Sequence, residues 1–279
     1  MVEATKILNI ENDGLNMATD GQFLYIRCKR TMFKYSLTDM SLVAQNVIFK
    51  KDGKARNFSI GKKYIFLTDF CDLYILDKNN LQVVEVMRLG KDLSSDLGVV
   101  RFDEHKAYIN IRNGKMAVMD IETRVVSRFD ICDSSSWEHS IVGNRIFTGT
   151  VNGELVETDT SSMQLVRKIE LCKKNIYSVV HHNGILYTVS QDMTIKAVNI
   201  ETLETVCMAK KAVKSMTRIL GIYNDLLVIA DGRISLWDKQ TLELHDRFDF
   251  PTGHFNKGVI LHDNMLFGSD FQSICKCTL

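Results

Sequence analysis

ISLWDKQTLELHDRFDF (residues 234–250) runs from an apolar segment ending in Trp237, through the polar bend Asp238-Lys239-Gln240-Thr241, into a second run with Leu242, Leu244 and Phe248. This is the pattern of two short antiparallel strands joined by a tight turn. The same punctuation recurs along the chain. Apolar runs close on Ser36 before LTDMSLV, Asp77 before KNNLQVV, Asp120 before IETRVVS, Asp159 before TSSMQLV, Asn199 before IETLETV and Asp238 before KQTLELH. Successive differences are 41, 43, 39, 40 and 39 residues, and one further step of 40 reaches Thr278. A period near 40 with four strand-like segments per unit is that of propeller blades, not of helical repeats.

The second segment of each unit is the most apolar: FLYI (23–26), YIFL (64–67), AYINI (107–111), RIFTGT (145–150), ILYTV (185–189), LLVIA (226–230) and MLF (265–267). Near-continuous apolar runs mark strands covered on both faces, as stacked blades require. Polar or Gly-bearing turns such as TDGQ, VGNR and HHNG bound them, and Pro251, the single proline, lies between repeats. There a missing N–H removes no ladder bond. The last unit stops after a third strand, SICKC (273–277), whereas the chain opens with an orphan apolar segment, TKILNI (5–10). Pairing the two completes a seventh blade and covers its open edge. The expectation is an all-β, seven-bladed ring spanning 1–279 as one domain and closed by the N-terminal strand.

Composition agrees: 279 residues, 45% hydrophobic and 25% charged, suit a folded chain with a large core. No apolar stretch approaches the roughly 18 residues of a membrane span, and the start MVEATK lacks a signal peptide's basic region and apolar run, so a cytoplasmic location is expected. Seven cysteines, an odd number scattered from Cys28 to Cys277, fit reduced core thiols better than a disulfide framework. A net charge of +1 gives no global pull toward nucleic acid or membrane.

Leu236-Trp237-Asp238, with Leu76-Asp77 and Met119-Asp120 as partial matches, resembles the Trp-Asp ending of the third strand in WD-repeat propellers, and the resemblance covers essentially the whole chain. The Gly-His pair of that family is matched once, at Gly253-His254, so quinoprotein-like and lactonase-like or lyase-like propellers stay open as alternatives. The resemblance implies that the connections from each fourth strand to the next blade, together with the turns between second and third strands, form the binding face. Those connections are FKKDGKAR (49–56), LGKDLSSDLG (89–98), CDSSSWEHS (132–140), CKKNIYS (172–178), AKKAVKSMTR (209–218), PTGHFNK (251–257) and IENDGLN (10–16). Lys173, Lys174, Lys210, Lys211, Lys214 and Arg218 fall in two neighbouring connections without an acid, and Lys54 and Arg56 add to a third. Acids such as Asp92, Asp96, Asp133 and Glu138 fall elsewhere, which predicts a rim with a basic sector able to focus potential onto an acidic or phosphorylated ligand. Solvated loop lysines without a ligand are the plain alternative. Trp137 and Tyr177 stand beside these charges as candidate anchors, although burial at the start of an inner strand is the ordinary fate of such aromatics. Trp237 is expected in the core.

No nucleophile elbow, HExxH, P-loop or dinucleotide fingerprint occurs. His181-His182 alternate to opposite sides of an extended chain, and Cys275-x-Cys277 has no second ligand pair. The resulting expectation is a non-enzymatic module that binds a protein or peptide and needs no cofactor. The alternative is a lactonase-like or lyase-like enzyme with a metal held by the turn carboxylates Asp69, Asp192, Asp231 and Asp270. Nucleic-acid binding through the lysines is disfavoured by the near-neutral charge and the lack of paired stacking aromatics.

Overall fold

The computed structural model describes residues 4–9, 16–49, 57–90, 97–214, 217–252, 258–269 and 273–279, with Trp137 described by its backbone alone. They form seven four-stranded antiparallel sheets, each following chain order from the axis outward, except that the last takes its outermost strand from the chain start. Blades 1 to 6 span 16–47, 57–88, 97–130, 136–170, 176–209 and 218–248. Blade 7 combines Val259–His262, Met265–Ser269 and Ser273–Thr278 with Thr5–Asn9. The inner strands touch one another in cyclic order, blade 7 against blade 1 included, so the sheets close into a ring. In the closing pair Thr5 faces Lys276, Leu8 faces Ile274 and Asn9 faces Ser273, with one irregularity between Lys6 and Leu8.

The turn after each third strand explains the repeat seen in the sequence. Asp238 Oδ1 accepts the N–H groups of Gln240 and Thr241 at 2.8 and 2.7 Å, and its carbonyl accepts the N–H of Leu242 at 2.9 Å. Asp77, Asp120, Asp159 and Asn199 make the same side-chain bonds to the residues two and three positions on. Asp and Asn favour this side-chain mimic of a backbone turn, which is why they punctuate most units, while Ser36 Oγ accepts the Thr38 N–H at 3.2 Å in blade 1.

The fourth residue after the Asx, or after Ser36 in blade 1, has positive φ although it is never Gly: Met40, Leu81, Arg124, Met163, Leu203 and Leu242 lie between 54° and 64°. That left-handed geometry is costly for a bulky side chain. It is maintained because the side chain enters the gap to the preceding blade. Leu81, Met163, Leu203 and Leu242 are buried and share apolar clusters with Tyr25, Tyr108, Phe147 and Tyr187 respectively, while Met40 packs in the cluster of Phe267. These aromatics, with Phe66, occupy the third position of the second strand in every blade but the sixth, where Val228 stands. In blade 3 the plug is Arg124, whose guanidinium lies 4.3 Å from the Tyr64 ring of blade 2 and 3.5 Å from Glu85.

The fourth strands form the perimeter and are half exposed. In blades 1, 2, 4, 5 and 6 their register against the third strand skips one residue, which leaves Val43, Val84, Val166, Val206 and His245 unpaired. The four valines are accordingly exposed. Such bulges twist an edge and make it a poor template for another strand.

Candidate binding face and central cavity

Backbone bonds sort the loops onto two faces. N–H groups of the inter-blade connections reach the turns between second and third strands: Ile48 to Arg30 O, Leu89 to Cys71 O, Ile131 to Gly114 O, Leu171 to Gly153 O and Ala212 to Met193 O. On the other face the turns after the third strands bond to those after the first, as in Lys78 to Lys63 O and Lys239 to Asp225 O. Crossing is close at Gly153, where φ is +86° and a Cβ would stand 2.1 Å from the Cys172 carbonyl oxygen.

The blade 5 turn at 191–194 gathers two lysine-bearing connections. Asp192 Oδ2 accepts the Lys173 N–H at 3.1 Å, Ser190 Oγ donates to the Lys174 carbonyl at 3.1 Å, and Ala212 N–H donates to the Met193 carbonyl at 3.0 Å. Lys173, Lys174, Lys210, Lys211 and Lys214 therefore flank one turn; all five are exposed, and none of their ammonium groups has a carboxylate partner among the described residues. Their nearest acid by these bonds is Asp192. Burial raises its pKa, but bonds from the Thr194 hydroxyl and the N–H groups of Lys173 and Thr194 outweigh that and hold the carboxyl below its ordinary value.

Three other expected rim residues are not in loops. The inner strands begin earlier than the sequence pattern suggested, at Ser136, Ile176 and Arg218, because a bulge follows their first residues. Trp137 and Tyr177 occupy equivalent bulge positions in blades 4 and 5. The Tyr177 side chain packs against the cluster of Tyr187 and Leu227, so it is partly a wall of the blade 5–6 interface. Arg218 opens the inner strand of blade 6 and lines the axial cavity rather than the rim. Lys54 and Arg56 lie outside the described residues, as do Asp92, Asp96, Gly253, His254 and Asp270.

Glu138, expected among rim acids, is buried at the axis instead. Its Oε1 receives the Arg101 guanidinium of blade 3 and its Oε2 receives Ser178 Oγ of blade 5 at 2.6 Å, so one carboxylate joins three inner strands. Arg101 and Arg218 both line an axial cavity of about 320 Å³, whose wall presents more polar than apolar surface and includes Met17, Phe58, Phe102 and Leu261. His139, beside Glu138 in the chain, is fully buried with neither ring nitrogen bonded. Burial, reinforced by the Arg101 cation, pushes its pKa down to about 3 and keeps it neutral. Arg101 and Glu138 had a signal in the sequence: a charge inside an otherwise apolar inner strand, as in LGVVRF, requires a partner.

Among the described residues the turn carboxylates form no metal set. Asp192 is engaged in its own turn, Asp231 is buried 3.7 Å from Arg247, and among the described residues no three His, Cys, Asp or Glu side chains come together as a metal set. His181 and His182 end an inner strand rather than forming a turn, and His181 Nε2 accepts the Gly184 N–H at 3.1 Å. Trp237 is buried, donating to Ser235 Oγ at 2.9 Å. Five of the seven cysteines are buried, Cys275 and Cys277 among them.

Neither a protein-family model nor a curated protein sequence matches the chain. Solved structures do match in shape. A chain of the Mitotic Checkpoint Complex superposes with a TM-score of 0.82 at 10% identity, covering 99% of this chain and 91% of its own. The computationally designed Ika8 protein superposes with a TM-score of 0.71 at 12% identity, covering 98% of both. The chain is a seven-bladed β-propeller. At such identities the likeness extends to the fold and no further.

Proposed function

We propose that this propeller is a non-enzymatic interaction module of degenerate WD-repeat type, which binds an acidic or phosphorylated protein segment on the face carrying the inter-blade connections. The observation that carries this reading is the gathering of Lys173, Lys174, Lys210, Lys211 and Lys214 around one turn, exposed and without carboxylate partners among the described residues. Unpaired lysines at one place cost like-charge repulsion, which an anionic partner would relieve. Charge-assisted hydrogen bonds would supply affinity, with the exposed part of Tyr177 as a neighbouring contact. Two further supports are the Leu236-Trp237-Asp238 ending and the likeness in fold to a chain that belongs to a multiprotein complex.

The test uses fluorescent peptides rich in glutamate or phosphoserine, titrated with the whole chain at low salt. Replacing Lys211 and Lys214 by Glu is expected to weaken binding by about tenfold or more, because close charge pairs respond strongly to reversal. The same reversal at Lys62 and Lys63, exposed on the opposite face, is expected to change little. Equal binding by both variants, or binding unaltered in molar salt, would refute the assignment.

A further inference from the structure

The axial cavity carries a charge arrangement independent of the rim. Arg101 reaches it from blade 3 and Arg218 from blade 6, and among the described residues no other ionisable side chain is in its wall. Among the described residues the carboxylate paired with Arg101 is Glu138, whose two oxygens are already taken by Arg101 and Ser178. His139 is neutral in its buried position and adds no cation. Two guanidinium groups against one carboxylate leave a single positive charge. Arg218 has neither an ion pair nor a side-chain hydrogen bond among the described residues. The two arginines also sense one another: burial lowers the Arg101 pKa, Glu138 raises it and Arg218 lowers it again.

A partly buried cation is poorly solvated, so the cavity favours an anion able to restore the lost hydrogen bonds. The single net charge suits a monoanion. Guanidinium presents a planar fork that fits a carboxylate, and Phe58, Phe102, Met17 and Leu261 offer hydrocarbon to whatever carries it. At about 320 Å³ the space is of the size that holds small organic molecules. We infer that the axial cavity is a binding site for a small monocarboxylate with an apolar body, its carboxylate held by Arg218 with Arg101 and its hydrocarbon lying against Phe58 and Phe102.

Calorimetric titration of the whole chain with phenylacetate, its neutral isostere phenylacetamide and inorganic phosphate tests this. Phenylacetate is expected to bind, with the amide about tenfold weaker or worse because it leaves the guanidinium charge unpaired. Arg218→Gln should abolish the preference for acid over amide, Arg218→Lys should retain part of it, and the Lys211→Glu/Lys214→Glu pair should leave it unchanged. The Lys variant keeps the charge, so it reports even where the Gln variant fails to fold. Absence of phenylacetate binding at millimolar concentration, equal binding of acid and amide, an unchanged preference in the Arg218 variants, tighter binding of phosphate, or loss through the rim pair would each overturn the inference. Failure of the peptide experiment with survival of this one would separate the cavity from the rim.

Discussion

Single residues set the blade spacing here through a conformation that propensity disfavours. Leu81 sits at φ 62° with no exposed surface, held by its N–H bond to Asp77 O and by the cluster of Tyr25 and Leu67. Leu81→Ala should therefore cost about 2–5 kcal/mol, the ordinary penalty for a core cavity, whereas Val84→Ala, three residues away on the exposed bulge, should stay within about 0.5 kcal/mol. Urea unfolding midpoints would decide, and equal losses would show that the plug does not bear on the interface. His139 gives a second residue-scale prediction. Its pKa falls from the ordinary 6.5 to about 3 on folding, so the unfolded chain takes up a proton that the folded chain refuses between those values. Stability then rises with pH through that window and falls as acid is added, with no contribution from this group well above 6.5. Asp20 acts in the same direction at lower pH. Burial raises its pKa, but Lys78 and the Phe23 and Gln22 N–H groups outweigh this and hold it at about 2, so its contribution is lost as pH falls below 3.8. His139→Gln should flatten the dependence of stability on pH between 6 and 4 by up to about one proton; parallel curves for the two proteins would contradict the buried neutral histidine.

At the scale of strands and turns, the sequence disclosed what is local and concealed what is not. Asx turns and apolar second strands are written within a few residues, so period, blade number and closing strand were all legible. Inner-strand starts were not, since Trp137 and Tyr177 sit on bulges and the pattern there loses its alternation. The axial site was hidden for a related reason: the partners of Glu138 are 37 and 40 residues away, one in each neighbouring blade. The rim lysines were legible as loop residues, but their neighbour Asp192 reaches them only through a turn contributed by the same blade's second and third strands. Closure itself is testable. Thr5–Asn9 covers the edge of Ser273–Thr278 and adds Ile7 and Leu8 to the cluster of Phe267 and Ile274. Removing residues 1–9 should lower the thermal midpoint and produce aggregates by light scattering, because a long unpaired edge recruits further strands. An unchanged midpoint in a monodisperse sample would mean that the strand is dispensable.

For the whole molecule, the ring makes the seven seams nearly equivalent, and the chain ends fall at one of them. Leu279 N–H donates to Asn264 O at 2.8 Å, the bond that Lys239 makes to Asp225 O in blade 6 and Lys78 makes to Lys63 O in blade 2. Leu279 thus stands where the turn after a third strand begins, and Thr5, facing Lys276, stands where Asp246 faces Leu236. Between Lys239 and Asp246 lie six residues, 240 to 245, whereas residues 1 to 4 supply four, so a linker of two residues between Leu279 and Met1 should complete a seventh turn. New ends can then be opened between Ser161 and Ser162, in the corresponding turn of blade 4, whose fourth strand Leu165–Glu170 becomes the closing strand. This permutant should fold to the same ring, with a thermal midpoint lowered by the loss of the bonds that join Asp159 to Ser162, Met163 and Gln164 across the cut. Opening the chain at Gly153 should be far more disruptive, because that turn holds the Leu171 and Cys172 N–H groups and passes 2.1 Å from a backbone oxygen at the Cβ position. Near-UV circular dichroism and thermal unfolding would compare the two. If both permutants fold alike, closure does not depend on which turn is cut; if neither folds, the N-terminal strand is more than one of seven equivalent seams.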